Sequence, residues 1–220
     1  MPASSSPRTP LIRRPQGPGR PKDLEKKAAI LDAAKKLFPL RGFDGVSMEA
    51  IAAEAGVSKL TVYNHFTDKE TLFSAAVKQR CEELLPHEVF EVDVESRPIG
   101  ELLGAIGRAF HALVTSDEAV QLQRILAARA MTDTRLAQLF YEAGPKRTLT
   151  DMDGFLRRAN AAKVLEVPDT ARAAAHFCCL IKGEQHLRMM VGCCEGLSAR
   201  ECRAHIDSVV DMFLRAYAPR

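Results

Sequence analysis

Residues 46–70, V-S-M-E-A-I-A-A-E-A-G-V-S-K-L-T-V-Y-N-H-F-T-D-K-E, constrain this chain most, because they read as two short helices joined by a glycine turn. Ser47 is placed to cap the first helix, and Met48, Ile51, Ala52 and Ala55 follow at helical spacing on one apolar face. Gly56 then stops that helix, since glycine alone enters the left-handed region without a Cβ penalty. Ser58 can cap the next helix at once. There Val62 and Phe66, four apart, point inward and leave Lys59, Leu60, Thr61, Tyr63, Asn64 and His65 over the remaining faces.

Those exposed side chains suit duplex DNA. Lysine, tyrosine and histidine engage phosphates, asparagine and threonine reach base edges, and a bare leucine meets a thymine methyl. A helix-turn-helix lays such a helix in the major groove. An ordinary helical hairpin accounts for the helix–glycine–helix spacing but not for the polar and aromatic outer face.

The charge supports the same place. Residues 1–80 hold 14 Lys and Arg against 8 Asp and Glu, a net +6, whereas residues 81–220 hold 17 against 20, a net −3. An anionic partner therefore belongs to the N-terminal third. Residues 1–22 carry five basic residues, no acid and little that packs, so a disordered basic tail is expected. Gly19-Arg20-Pro21 in it resembles the core of an AT-hook that would enter a minor groove, the alternative being a plain electrostatic tether. The tail has no apolar run of secretory type, and the stretch around Phe177 to Ile181 is too short to cross a bilayer. A cytoplasmic protein without membrane contact is the expectation.

With 46% hydrophobic residues over 220 positions, the chain can bury a core and hold one or two small domains. The periodicity is helical throughout, so the expected fold is all-α. Helix one should begin near a cap at Asp23, present Leu24, Ala28, Leu31, Ala34 and Phe38 as one stripe, and kink in its last turn at Pro39. Helix four should follow a cap at Thr67 and end before Pro86, with a loop from His87 to Pro98. Further helices are expected near 99–114, 117–130, 133–143, 145–163, 169–193 and 198–217. Gly144-Pro145 is either a break, giving ten helices, or a kink, giving nine.

The motifs L-F-P-L-R-G-F (37–43), I-A-x-x-A-G-V-S (51–58), T-V-Y-N-H-F (61–66) and K-E-T-L-F (69–73) resemble the TetR family of bacterial regulators. The resemblance implies a helix-turn-helix DNA-binding domain over 23–68 and a helical effector-binding and dimerisation domain over 69–220. It also implies that Lys59, Leu60, Thr61 and Asn64 lie toward bases, and Ser47, Tyr63, His65 and Lys69 toward phosphates. L-F-Y-E-A-G-P (139–145) and K-G-E-Q-H-L-R (182–188) resemble the AefR-like branch of the family's C-terminal domains. That likeness implies a homodimer through the last two helices and a small-molecule cavity near Phe110, His111, Met131, Phe140, Tyr141, Phe155, His176 and Met189. For each of these, ordinary packing is the competing reading. The stripes Ala173, Phe177, Leu180, Leu187, Val191 and Ile206, Val209, Val210, Phe213, Tyr217 are candidates for the interface or for core.

Six cysteines remain: Cys81, the pairs Cys178-Cys179 and Cys193-Cys194, and Cys202. Cys193, Cys194, Cys202 and His205 straddle the Gly196 turn, where a redox switch or soft-metal site is conceivable, but the spacing matches no zinc module. No metal and no cofactor is expected. Phosphate loop, nucleophile elbow and dinucleotide fingerprint are missing, which argues against an enzyme; a Cys/His hydrolase is the remote alternative. The sequence therefore points to a regulator, expected to be a repressor that leaves a palindromic double-stranded operator when a small molecule binds.

Overall fold

Caps and breakers partition the chain into helices. The computed structural model describes residues 20–130 and 134–219, so the expectations for tail residues 1–19 and for Met131 lie outside the described residues, while residues 20–22, expected to be disordered, are helical. Among the described residues the regular structure is helical: α1 (Arg20–Arg41), α2 (Met48–Glu54), α3 (Lys59–His65), α4 (Lys69–Leu84), a 3-10 turn (His87–Val89), α5 (Ile99–Val114), α6 (Asp117–Arg129), α7 (Thr134–Ala143), α8 (Pro145–Ala161), α9 (Thr170–Met190) and α10 (Ala199–Tyr217). Ser47, Ser58, Asp68, Ser116, Asp169 and Ser198 each accept a backbone N–H of the helix they precede, satisfying donors that have no partner inside the helix. Gly144 separates α7 from α8, and Pro145, which has no N–H to give, opens α8.

Several details differ from the sequence reading. α1 starts at Arg20 rather than at Asp23, and Leu24 is 61% exposed, because the buried stripe begins further along at Ile30, Leu31, Ala34 and Phe38. The helix continues through Pro39, whose missing donor so near the end costs one bond without stopping the helix. Asp68, not Thr67, caps α4.

Two apolar clusters hold the molecule. The first packs α1 to α4 around Phe38, Ile51, Val62 and Phe73, and takes in Leu126 from α6 and Leu136 from α7. The second packs α5, α8, α9 and α10 around Leu103, Phe155, Phe177 and Phe213, with Phe90 and Val94 folded in from the 85–98 connection. α4 bridges them: its Phe73 and Val77 belong to the first, and Leu84 packs against the second.

The two stripes on the last helices resolve differently. Ile206, Val209, Val210 and Phe213 are buried within this chain, against α5 and α9, so they are core and not a face left for a second subunit. On α9, Ala173 and Phe177 are buried while Leu180, Leu187 and Val191 are exposed. Leu180 precedes the break and lies off the buried face, which runs through Ala174, Phe177, Cys178 and Ile181, whereas Leu187 and Val191 follow Gly183, whose φ of 58° and ψ of −172° kink α9 and break the register on which the stripe was counted. The outward apolar side chains of this pair are Leu180, Leu187 and Met212.

Candidate nucleic-acid interface and ligand cavity

Val62 and Phe66 anchor α3 in the first cluster, and the rest of the helix is presented outward. Leu60 is 70% exposed, and Lys59, Tyr63 and Asn64 are exposed beside it. Lys59 Nζ forms an ion pair with Glu49 of α2 and lies 5.7 Å from the Tyr63 ring centroid. Its hydrogen bond to Glu49 raises the Lys59 pKa, so the side chain stays cationic.

The remaining candidates have internal partners as well. Ser47 Oγ accepts the Ala50 N–H at 3.1 Å, and its O–H donates to the Glu49 carboxylate, adding to the Lys59 hydrogen bond that lowers the Glu49 pKa. Thr61 Oγ1 is 2.8 Å from Ser58 Oγ, and His65 Nε2 is 3.2 Å from the Asp23 carboxylate. Lys69 donates to the carbonyls of Phe43 at 2.8 Å and Val46 at 3.0 Å, with Nζ 4.3 Å from the Phe43 ring centroid. Lys69 therefore fastens the α1–α2 connection to the start of α4.

A cavity of about 750 Å³ opens between the two clusters. Its wall includes Phe38 of α1, Phe73 and Val77 of α4, Phe110 and Leu113 of α5, and Phe140 of α7. Of the sequence candidates it brings together Phe110, Phe140 and Tyr141. It does not include His111, Phe155, His176 or Met189: Phe155 and Met189 are buried in packing, His176 is exposed, and His111 faces Cys202. Sequence reasoning missed Arg80, Thr148 and Lys182, which lie in the wall. A wall drawn from helices far apart in the chain has no local signature.

The cysteines divide among unrelated partners. Cys202 Sγ is 3.3 Å from His111 Nδ1, Gln185 Nε2 donates to Cys194 Sγ at 3.2 Å, and His205 Nε2 donates to the carbonyls of Leu180 and Ile181 at 3.1 and 3.0 Å. Among the described residues no group of three His, Cys, Asp or Glu could hold a metal ion. Cys81 and Cys178 line the cavity, and burial pushes their thiols up to about 11 and about 12, so both stay protonated. No described helix is long and apolar enough to cross a membrane.

Comparison with known proteins bears on this arrangement. Residues 30–76 match the bacterial regulatory proteins of the tetR family, and residues 101–219 match the AefR-like transcriptional repressor C-terminal domain. The HTH-type transcriptional activator FasR of Mycolicibacterium smegmatis is 36% identical over 78 residues, which are 33% of this chain and 35% of that protein. The chain thus spans about a third of the length of the curated relatives it matches. Among solved structures, a TetR-family regulator from Mesorhizobium loti MAFF303099 superposes with a TM-score of 0.77 at 30% identity, over 90% of this chain and 99% of that one. The flavonoid-responsive regulator FrrA does so with a TM-score of 0.69 at 35% identity, over 89% and 98%. With its C-terminal half and its helix-turn-helix both matched, the chain belongs to the TetR family of transcriptional regulators.

Proposed function

We propose that this regulator is a homodimeric repressor acting in the cytoplasm by binding rather than by catalysis, held on a palindromic operator until a small molecule enters the cavity. The observation that carries this reading is the cavity's position. Its wall is shared by α1, which packs on α2 and α3, and by α4 to α9, so an occupant touches the helices that set the pitch of α3. An effector changes DNA affinity only if it prefers the arrangement that binds DNA poorly. Two recognition helices must stand about 34 Å apart to enter successive major grooves, and a small rotation of α4 and α6 spoils that spacing. α6 is tied to the DNA-binding unit by an ion pair from Arg129 to Asp44, and to α4 by Glu118 with Arg80 at 2.8 Å. The match to an AefR-like repressor domain supports repression, and a flavonoid-responsive relative supports response to a small molecule.

In this reading Lys59, Leu60, Thr61 and Asn64 face bases, while Ser47, Tyr63, His65 and Lys69 face phosphates. The dimer forms through the outward sides of α9 and α10, which carry Leu180, Leu187 and Met212. The test is to sequence genomic fragments retained by the purified protein in the presence of excess competitor DNA. Enrichment of a palindrome is expected, relaxed in preference by Asn64→Ala and weakened evenly across sequences by Lys69→Ala. Equal retention of all fragments would overturn sequence-specific regulation.

A further inference from the structure

The cavity wall is mostly aromatic and aliphatic, but its charges are not balanced. Lys35 is held by Asp32 at 2.8 Å and by Glu83, Lys36 hydrogen-bonds Glu54 at 2.5 Å, and Arg80 donates to Glu118. Lys182 has no acidic partner among the described residues. It is half-buried on α9, on the cavity face that also carries Ala175 and Cys178. Four residues separate Cys178 from Lys182, which is one helical turn. The Lys182 charge is felt at both Cys178 and His186, opposing the burial that raises the thiol and adding to the burial that lowers the imidazole. Arg80, in the same wall, keeps its Nε–H buried without a partner while Nη2 serves Glu118.

The acidic side offers no equivalent. Asp32 and Glu118 are already paired. Asp117 is exposed in the first turn of α6, where the free N–H groups and the helix dipole compensate its charge. A neutral apolar ligand would strip water from Lys182 and give nothing back, and a cation would be repelled. An anion turns that desolvation into a charge-assisted hydrogen bond.

From this imbalance, and resting on the reading of the cavity as the effector site, we propose that the effector is an amphipathic organic anion. Its aromatic or hydrocarbon body fills the space between Phe38, Phe73, Phe110 and Phe140, and its single carboxylate or ionised phenol meets Lys182. The volume of about 750 Å³ falls within the range of about 300–1,000 Å³ for small-molecule sites.

The experiment uses two probes of nearly equal shape, 1-naphthylacetate and 2-(1-naphthyl)ethanol, titrated into the full chain by calorimetry near neutral pH. The anion should bind about tenfold more tightly than the alcohol. Lys182→Met, which keeps the length of the stem but not the charge, should bring the two affinities within about twofold, and Lys182→Arg should restore the preference. Equal affinities in the unaltered protein, or a preference that survives Lys182→Met, would overturn the anion inference while leaving the cavity as a binding site. Failure of both probes to bind would overturn the inference together with the cavity reading beneath it.

Discussion

Gly56 and Gly183 adopt nearly the same φ, +65° and +58°, yet the chain uses them in opposite ways. At Gly56 the helix ends. The N–H groups of Gly56 and Val57 return to the carbonyls of Ala53 and Ala52 at 3.3 and 3.0 Å, so the turn closes on its own backbone. A Cβ built there meets nothing within 4 Å. At Gly183 the helix resumes after a kink, with ψ at −172°, a region nearly confined to glycine. The carbonyls of Leu180 and Ile181 are taken by His205 Nε2 from α10, and a Cβ would lie 2.9 Å from that ring's Cε1. The first turn is local and open; the second is tertiary and filled.

The contrast predicts unequal penalties. Gly183→Ala should be the costliest change, because backbone strain of about 2–3 kcal/mol comes on top of displacing His205. Urea unfolding measures it, and in a His205→Ser background the steric share should disappear while the strain remains. An unchanged midpoint would mean that α9 straightens without loss. His205→Leu comes next. It leaves two carbonyls in the kink without their donor, for which a loss of about 1–2 kcal/mol is expected. A penalty for Leu smaller than for Gln would show that the ring acts by filling space rather than by hydrogen bonding.

Gly56→Ala should cost less, about 1 kcal/mol of left-handed strain, since nothing stands in the way of the methyl. Its sharper readout is DNA: the turn fixes how α3 leaves α2, so operator affinity should fall by more than the stability does. Equal small losses in both would place the orientation of α3 under the control of Val62 and Phe66 packing instead.

These differences also explain what was legible in the sequence. Gly56 is followed within two residues by a capping serine, and Val62 and Phe66 repeat at one helical turn, so every part of that device is within reach of pattern reasoning. The boundaries of α5 to α10 followed for the same reason, from local caps and breakers. Gly183 sits inside a helical pattern, and its partner His205 lies on the next helix. Nothing near Gly183 announces a kink. The missed kink in turn misplaced Leu187, which was counted as one stripe with Phe177, while Leu180, ahead of the kink, lies off the buried face of Phe177, Cys178 and Ile181. The cavity was hidden likewise: Phe110, Phe140 and Tyr141 could be nominated from the family resemblance, but Lys182 matters only because the surrounding charges are paired and it is not. Lys69 shows the converse, a residue nominated for phosphate whose bonds to Phe43 and Val46 no spacing rule would supply.

The smallest expected effect separates the filled turn from the open one by pH. His111 packs against His205, with ring centroids 6.3 Å apart, and is bonded to Cys202. Burial first, and the neighbouring His205 second, lower the His111 pKa below its ordinary value of 6.5. In the unfolded chain the imidazole takes its proton near that ordinary value, whereas in the folded chain it does so only at lower pH. The unfolded state therefore binds more protons in between, and acid favours unfolding. The stabilising contribution is complete above about pH 6.5 and is lost as pH falls toward the lowered folded value. His186, lowered by burial and by Lys182 and His111, adds in the same direction. The capping and paired carboxylates Glu49, Glu54, Asp68, Asp169 and Glu201 also have lowered values, but their contribution is lost only as pH falls through and below their ordinary values of 4.5 and 3.8, beneath this window. Melting midpoints taken near pH 7.5 and near pH 5.5 should fall in the unaltered protein and fall less in His111→Gln, which keeps a polar partner for Cys202 but cannot titrate. A slope that His111→Gln leaves untouched would move the acid sensitivity of the fold away from the packed kink and onto other groups.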